Sequence, residues 1–335
     1  MSAWPAETRP EPERPLLKPW YRLSLDGNGA VLRYGASVLE FEGAAATRLL
    51  PRLLPLLDGT RRVDDVVACL GEPIRPAVER AVALLHEQRL LTEAAPAGLA
   101  AGHHRAAELL AATDPLDRGV GDVSARLAAA SVALLGDAPV VRIVRRLLVE
   151  SGVGDVCRSA WGDTPAAELV VAAPSGLELP RLREWNGRAL SEGTPWLQLL
   201  PFDGLLAAVG PLIVPGDTAC HECYLLRRAA NLSSLRFRPE RVEHGVHPSA
   251  PALDAVVAGL AATLALRWLA LADTLVPGVV LAVEQTPEPA FSRHILYRVP
   301  RCPACSNGRG RAALSPWHSS TDAAPIDARP ADVAA

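Results

Sequence analysis

The chain begins with three short runs in which apolar and polar residues alternate. These runs, 21–25, 30–34 and 38–41, have the two-residue period of half-buried β-strands. Between the first two, residues 26–29 read Asp-Gly-Asn-Gly, which tolerates the positive φ angles of a tight hairpin. We therefore predict a small antiparallel sheet of three strands.

Helical periodicity follows these strands. Residues 44–57 are apolar on several faces, 63–67 fit a short helix, and a third helix starts near Pro76. The third helix has an apolar stripe at helical spacing, formed by Val78, Val82, Leu85 and Leu90. Three strands followed by three helices predict a winged-helix domain over residues 16–93.

Charge argues against nucleic acid as the partner of this domain. The formal net charge is −3, and the third helix mixes acidic and basic residues without a basic stripe. Lys18 is the only lysine, so arginine carries nearly all of the positive charge. We expect no nucleic-acid partner, whereas binding of a peptide stays open.

Residues 94–123 are rich in Ala, Gly and His and include Asp114-Pro115, which predicts a linker with at most one helix, around 106–112. From there to residue 311, buried apolar strands alternate with helices. The predicted strands are 131–135, 168–173, 195–200, 205–209, 279–283 and 295–299. This alternation predicts a mixed α/β domain over 124–311, with a mostly parallel sheet covered on both faces.

The two ends have no globular pattern, and we predict disorder over 1–15 and 312–335. The N-terminus lacks the apolar core of a signal peptide, so we expect a cytoplasmic location. The most apolar stretch, 255–266, is bounded by Asp254 and Arg267. It is shorter than the about 20 residues that a membrane span needs, which predicts a buried helix and no membrane partner.

Four of the six cysteines form two Cys-x-x-Cys pairs, Cys220 with Cys223 and Cys302 with Cys305. Two such pairs supply the four thiolates of a closed tetrahedral zinc site, so we predict one structural zinc ion. The alternatives are two redox dithiols or a coincidence of spacing. His221 lies inside the first pair, where sulfur already fills the ligand positions, and is predicted to be a spectator.

The other two cysteines, Cys69 and Cys157, lie in apolar runs and are predicted to be small core residues. The turn after the first strand of the α/β domain decides whether a nucleotide binds. It keeps one glycine, Gly136, places the acidic Asp137 where phosphates would lie, and loses an amide donor at Pro139. With no lysine in this domain, we predict that the chain binds no ATP.

Several segments together resemble a known family. They are 210–216 (Gly-Pro-Leu-Ile-Val-Pro-Gly), 218–223 (Thr-Ala-Cys-His-Glu-Cys), Arg227-Arg228, 302–305 (Cys-Pro-Ala-Cys), 168–173, Trp185-Asn186 and 193–196. These residues resemble the ThiF-like leader-peptide-binding proteins. Those proteins work beside YcaO-type cyclodehydratases in making thiazole- and oxazole-containing ribosomal peptides, including thiopeptides. The match covers roughly residues 18–310.

The resemblance implies a non-catalytic partner protein. Adenylating ThiF and MoeB enzymes use a Gly-rich turn, an Asn-x-x-Arg-Gln segment and a catalytic lysine. This chain departs at all three places and has Cys157-Arg-Ser-Ala-Trp161 at the second. The implied partners are the leader of a precursor peptide and a YcaO-type cyclodehydratase. Homodimerisation is common in ThiF-like folds and is a further expectation.

The resemblance also suggests where the leader binds. A leader would add as a strand to the exposed edge formed by Val38, Leu39, Glu40 and Phe41, and would lie against the third helix. On that helix, Val78, Val82 and Leu85 are predicted to line or support the groove. About half of these strand and helix residues are expected to be ordinary core, because a strand and a helix each have one inward face. Two other functions stay open: an adenylating enzyme that uses arginine in place of lysine, and a winged-helix regulator with a metal-sensing domain.

Overall fold

The structure is a computed structural model. It describes residues 11–18, 21–25, 29–34, 37–94, 101–114, 116, 118–231, 250–285 and 288–306. The segment predicted to be disordered at 312–335 lies outside the described residues, as does most of 1–15. Of the predicted hairpin turn 26–29, only Gly29 is described.

The first region contains a three-stranded antiparallel sheet with the strand order β2-β3-β4. Its strands are β2 (Arg22–Leu25), β3 (Gly29–Tyr34) and β4 (Ser37–Glu42). The register places Leu32 opposite Leu39 and Ala30 opposite Phe41, so these four side chains share one face. The three predicted strands are confirmed.

Four short helices pack a core against that face. They are α1 (Ala44–Arg48), α2 (Leu50–Leu53), α3 (Val63–Leu70) and α4 (Arg75–Glu87). The predicted single helix over 44–57 is wrong in detail, because it is divided into α1, α2 and a 3-10 turn at Leu54–Leu56. Pro51 and Pro55 lack the amide hydrogen that a continuing helix needs. The winged-helix assignment stays a prediction.

A pair of three-residue strands was not predicted. Strand β1 (Pro15–Leu17) pairs antiparallel with β5 (Leu91–Glu93), and the amide of Arg14 donates to Glu93 Oε1 at 3.1 Å. The predicted tail 1–15 therefore extends too far, since Arg14 and Pro15 belong to this contact. Three residues are too few to show an alternating pattern, and the partner strand is distant in sequence.

The predicted linker at 94–123 contains more helix than the single one expected around 106–112. Helices α5 (Ala101–Thr113) and α6 (Val120–Ala129) occupy most of it. Ala107, Ala111 and Val123 are fully buried in the core of the second region. Alanine is a strong helix former and its small side chain allows this close packing, whereas the glycines and Asp114-Pro115 suggested a loop. The division of the chain into domains stays a prediction.

The second region is built on a seven-stranded sheet with the order β12-β11-β10-β9-β8-β6-β7. The strands are β6 (Ser131–Leu135), β7 (Asp155–Ser159), β8 (Leu169–Ala172), β9 (Trp196–Leu200), β10 (Leu206–Ile213), β11 (Val279–Glu284) and β12 (Ala290–Ile295). The predicted strand at 295–299 is displaced, since β12 ends at Ile295. All but one of its six residues are exposed and half are polar, so it has no buried apolar run by which it could be predicted.

The predicted mixed sheet is confirmed, but three of its six strand pairings are antiparallel, so the expectation that it is mostly parallel is wrong. The four strands β7, β6, β8 and β9 are parallel, whereas β9–β10, β10–β11 and β11–β12 pair antiparallel. Short connections of a few residues join β9 to β10 and β11 to β12. Because no crossover helix fits in them, those strands must reverse direction.

Helices cover both faces of the sheet, as predicted. They are α7 (Val140–Glu150), α8 (Arg181–Glu192), α9 (His221–Asn231) and α10 (Pro251–Leu271). Residues that alternate along a strand go to opposite cores: Leu134 packs in the core of α6, α7 and α10, whereas Leu135 packs in that of α8. The carboxyl ends of the parallel strands are thereby left open at one edge.

Helix α10 is the most apolar element. By length and composition it could cross a membrane, but 44% of its most apolar 18-residue window is buried inside the protein. Val257, Ala261 and Ala265 of this helix are buried in the core of the second region. The core helix of a soluble protein can have the same length and apolar composition as a membrane span, so α10 is weak evidence for a membrane.

The prediction that Cys69 and Cys157 are core residues is wrong, because both are exposed. Cys157 lies on β7, an edge strand of which only Val156 is buried. Cys69 lies on α3, whose buried residues are Val66 and Val67. Local apolar composition does not indicate which residue of an edge element faces inward.

Candidate functional site

The four cysteines of the two pairs converge on one point. Cys220 precedes α9 and Cys223 lies in its first turn, while Cys302 and Cys305 lie in the turns that follow β12. The four Sγ atoms all lie within 4.8 Å of one another. This cluster, Cys220, Cys223, Cys302 and Cys305, is called the cysteine cluster below, and it could hold a metal ion.

The spacing of the sulfurs fits a tetrahedral ion. The Sγ atom of Cys220 lies 3.9 Å from that of Cys223 and 3.7 Å from that of Cys302, and Cys223 lies 3.6 Å from Cys305. Four Zn–S bonds of about 2.3 Å in a tetrahedron place the sulfurs about 3.8 Å apart. A disulfide would require about 2.05 Å. The donor set therefore suits zinc, while the geometry alone does not identify the metal.

Hydrogen bonds hold the two halves of the cluster together. The amide of Val299 donates to Cys223 Sγ at 3.3 Å. Arg298 spans the cluster, since it donates to the carbonyl of Gly216 at 2.6 Å and to that of Cys305 at 2.8 Å. The cluster thus joins the start of α9 to the segment after the last strand of the sheet.

His221 is not among the four residues of the cysteine cluster, which agrees with its prediction as a spectator, and it has a structural role that was not predicted. Its Nδ1 atom lies 2.8 Å from Gln198 Oε1 on β9, and its amide donates to Asn186 Oδ1 on α8 at 3.0 Å. Burial, with a smaller effect of Arg183, lowers the pKa of His221 to about 3, so the imidazole is neutral at physiological pH. His221 connects the cysteine cluster to the middle of the sheet.

The turn after β6 is closed by the chain itself. Its Asp137 carboxylate is paired with Arg158 Nη2 at 2.6 Å, and the same guanidinium donates to the Gly136 carbonyl at 3.1 Å. The backbone amide of Asp137 donates to Glu178 Oε2 at 3.1 Å. The prediction that Asp137 lies in this turn is confirmed, whereas its two charged partners were not predicted.

Beside this turn, a small crevice lies at the carboxyl ends of β6, β8 and β9. Its described lining is almost entirely apolar and includes Ala138, Pro139, Ala173, Leu199, Phe202 and Val257. Asp254, which has partners of its own, is the charged residue among the described lining. In open α/β sheets this edge is the usual place for a ligand. Here the crevice offers apolar contact and few polar donors.

The predicted leader-binding residues divide into two groups. On β4, Val38 is 51% exposed, Glu40 is exposed, and Leu39 and Phe41 are half-buried against the core. On α4, the three predicted residues are fully buried, and they are Val78, Val82 and Leu85. The α4 residues therefore support the core, and β4 supplies the accessible surface.

Comparison with known proteins shows which solved structures share the fold of this chain. No protein-family model and no curated protein sequence matches the chain. Among solved structures, the heterocyclase TruD has a TM-score of 0.64 at 21% identity and covers 88% of this chain. A heterocyclase in complex with substrate and cofactor has a TM-score of 0.62 at 21% identity and covers 87%. MccB from E. coli, solved with ATP, has a TM-score of 0.59 at 16% identity and covers 87% of this chain and 99% of MccB.

The chain shares its fold with TruD and MccB. At these identities the likeness shows the fold alone. The match spans 43% of the TruD chain and 39% of the second heterocyclase, so this chain corresponds to less than half of those proteins.

Proposed function

We propose that this protein captures the leader of a ribosomally made precursor peptide without catalysing a reaction itself. It then presents the core of that peptide to a separate YcaO-type, ATP-dependent cyclodehydratase, which forms azolines from Cys, Ser and Thr residues. The observation that carries the proposal is the open edge of β4. Tethering the leader raises the local concentration of the core toward the millimolar range.

The edge of β4 suits strand addition. Among the described strands β4 pairs only with β3, so its other side presents backbone groups to a ligand. Leu39 and Phe41 are half-buried on the inner face and offer apolar contacts, while Glu40 lies on the outer face. An extended peptide would gain main-chain hydrogen bonds from the edge and selectivity from these side chains.

The closed turn after β6 supports a role without ATP. In folds of this type, free backbone amides at this turn hold phosphates. Here the amide of Asp137 is bonded to Glu178, and Arg158 is paired with Asp137. In this proposal the metal, taken to be zinc, has a structural role, because four thiolates leave no coordination position for water or substrate.

The separate enzyme partner in this proposal is a YcaO-type cyclodehydratase, which the resemblance of the sequence implies. A protein named as a heterocyclase, TruD, shares the fold over 43% of its own chain.

Leader capture can be tested by fluorescence polarisation. The probe is a fluorescein-labelled leader, taken from any short precursor peptide that sequencing finds encoded next to the gene, and it should bind with a Kd of about 1–50 µM. Replacing Phe41 or Leu39 by Ala should weaken binding about 5- to 50-fold, because each removes an apolar contact at the edge. The control Leu275→Ala changes a side chain that is 72% exposed and distant in sequence, and should leave the affinity unchanged. Absence of saturable binding would remove the proposal.

An adenylating enzyme is the second candidate. The observation that favours it is the match to 99% of MccB, a protein solved with ATP. An active enzyme would exchange pyrophosphate into ATP in the presence of peptide when no partner is added. Exchange that depends on peptide and is lost in Arg158→Ala would favour this candidate over leader capture alone.

A further inference from the structure

The backbone of the turn after β6 is in close van der Waals contact with the backbone at the end of β8. Gly136 has a φ of +100°, and a Cβ atom added to it would lie 2.1 Å from the carbonyl oxygen of Ala173. Only glycine fits this position, because both the left-handed backbone and the contact exclude a side chain. The close approach brings the segment after β8, including Glu178, beside the amide of Asp137.

Three N–H donors from three chain segments converge on the Glu178 carboxylate. Its Oε2 accepts from the amide of Ser175 at 2.8 Å and from that of Asp137 at 3.1 Å. Its Oε1 accepts from the indole of Trp161 at 2.7 Å. Burial raises the pKa of Glu178, but these hydrogen bonds outweigh it and lower the pKa below its ordinary value. The carboxylate is therefore ionised at neutral pH.

Local capping explains one of these bonds and leaves two unexplained. Ser175 and Glu178 form a capping box at the 3-10 turn Gly176–Glu178, which accounts for the Ser175 amide. The bonds from Asp137 and Trp161 come from other segments and are not needed for capping. Convergent backbone and side-chain N–H groups at the end of a first strand are the arrangement by which proteins bind oxyanions.

We propose that the turn after β6 is a binding site for a phosphate-type oxyanion and that the chain fills it with its own Glu178 carboxylate. A phosphate would need the same three donors, which Glu178 already uses, and would be repelled by two carboxylates. Arg158 stands beside the site but is paired with Asp137. The inference does not depend on leader capture, since it concerns a different part of the molecule.

The test is to remove the internal carboxylate and titrate with inorganic phosphate by isothermal calorimetry. Glu178→Ala and Glu178→Ser leave the three donors without their acceptor. We expect both variants to bind phosphate about tenfold or more tightly than the wild-type chain, with Kd values of about 1–10 mM. The double variant Asp137→Asn with Glu178→Ala frees Arg158 and should bind more tightly still.

Glu178→Gln is the matched control. Its side chain keeps the volume of Glu178, so the site stays filled and phosphate binding should not increase. Its single carbonyl oxygen can accept only from the donors at one end, and its amide nitrogen faces the others. Folded Ala and Ser variants that bind phosphate no better than the wild type would overturn the proposal, and so would equal gains in the Ala and Gln variants. Circular dichroism spectra that match the wild type establish that each variant is folded.

A measurement on the wild-type chain covers the case in which no variant folds. In an NMR pH titration, the amide protons of Asp137 and Ser175 and the indole proton of Trp161 should shift together with one midpoint below pH 4.5, the ordinary pKa of Glu178. Three independent midpoints would show that the donors do not share one acceptor, and would contradict the proposal.

Discussion

The cysteine cluster and the turn after β6 both gather several donor atoms around one point, and they differ in what fills that point. At the cluster, four sulfurs lie within 4.8 Å and their geometry suits an external ion. At the turn, three N–H groups already share the carboxylate of Glu178. The cluster could hold a ligand from outside, whereas the donors at the turn are satisfied by the chain.

The two sites differ in their roles: the cysteine cluster concerns the architecture of the fold, and the turn after β6 concerns ligand binding. Under our proposals, this fold keeps a metal site that joins distant segments, while its oxyanion site is occupied by a carboxylate of the chain itself. A buried polar group without a partner costs about 1–3 kcal/mol, so an internal carboxylate is a stable way to close such a site. Under our proposal, ligand binding then moves to the open edge of β4, in the other region of the molecule.

The largest expected effect comes from breaking the cysteine cluster. Replacing Cys220 or Cys302 by Ala should remove the bound metal and lower the free energy of unfolding by more than about 3 kcal/mol, because metal binding is coupled to folding. Elemental analysis of the purified protein and urea unfolding measure the two quantities. Cys157→Ala, at an exposed position, should retain the metal and change stability by less than about 0.5 kcal/mol. Full metal content in Cys220→Ala would refute the site.

The second-largest expected effect on stability comes from replacing Gly136, the glycine in the turn after β6. Gly136→Ala should lower the free energy of unfolding by roughly 2–4 kcal/mol, since its Cβ would lie 2.1 Å from the Ala173 oxygen and φ is +100°. The matched control is Gly187→Ala on α8, where a Cβ meets nothing within 4 Å. That change should stabilise the protein by about 0.5–1 kcal/mol through helix propensity. Equal effects at both positions would contradict the close contact.

The smallest effect concerns the charge of Glu178. Because its pKa is lowered on folding, its contribution to stability is fully present above the unfolded pKa of about 4.5. It is lost as the pH falls through the folded pKa. The difference in unfolding free energy between the wild type and Glu178→Gln should therefore be constant from pH 7 to pH 6 and shrink from pH 5 to pH 3. A difference that grows as the pH falls would contradict a lowered pKa.

How much the sequence predicts depends on whether a feature is local. The cysteine cluster was predicted in full, because ligand type and short spacing define each pair. The strands of the first region and β6, β8 and β9 follow from period and apolar runs. These features need no knowledge of distant contacts.

Features made by distant contacts could not be predicted. The carboxylate of Glu178 meets donors from separate segments, and only the fold brings Trp161 and Asp137 to it. Pairing of β1 with β5 and the burial of α5 depend likewise on partners far along the chain. Exposure of Cys157 follows from β7 being an edge strand, which the pattern of one strand does not reveal.

The central claim is that this scaffold holds metal through sulfur and offers no free phosphate site. Calorimetric titration of the metal-loaded, full-length chain with Mg-ATP tests it most directly. The account predicts no saturable heat at tens of micromolar protein, together with metal at about one equivalent per chain. A micromolar Kd for ATP in the unmodified chain would contradict the account and favour catalysis.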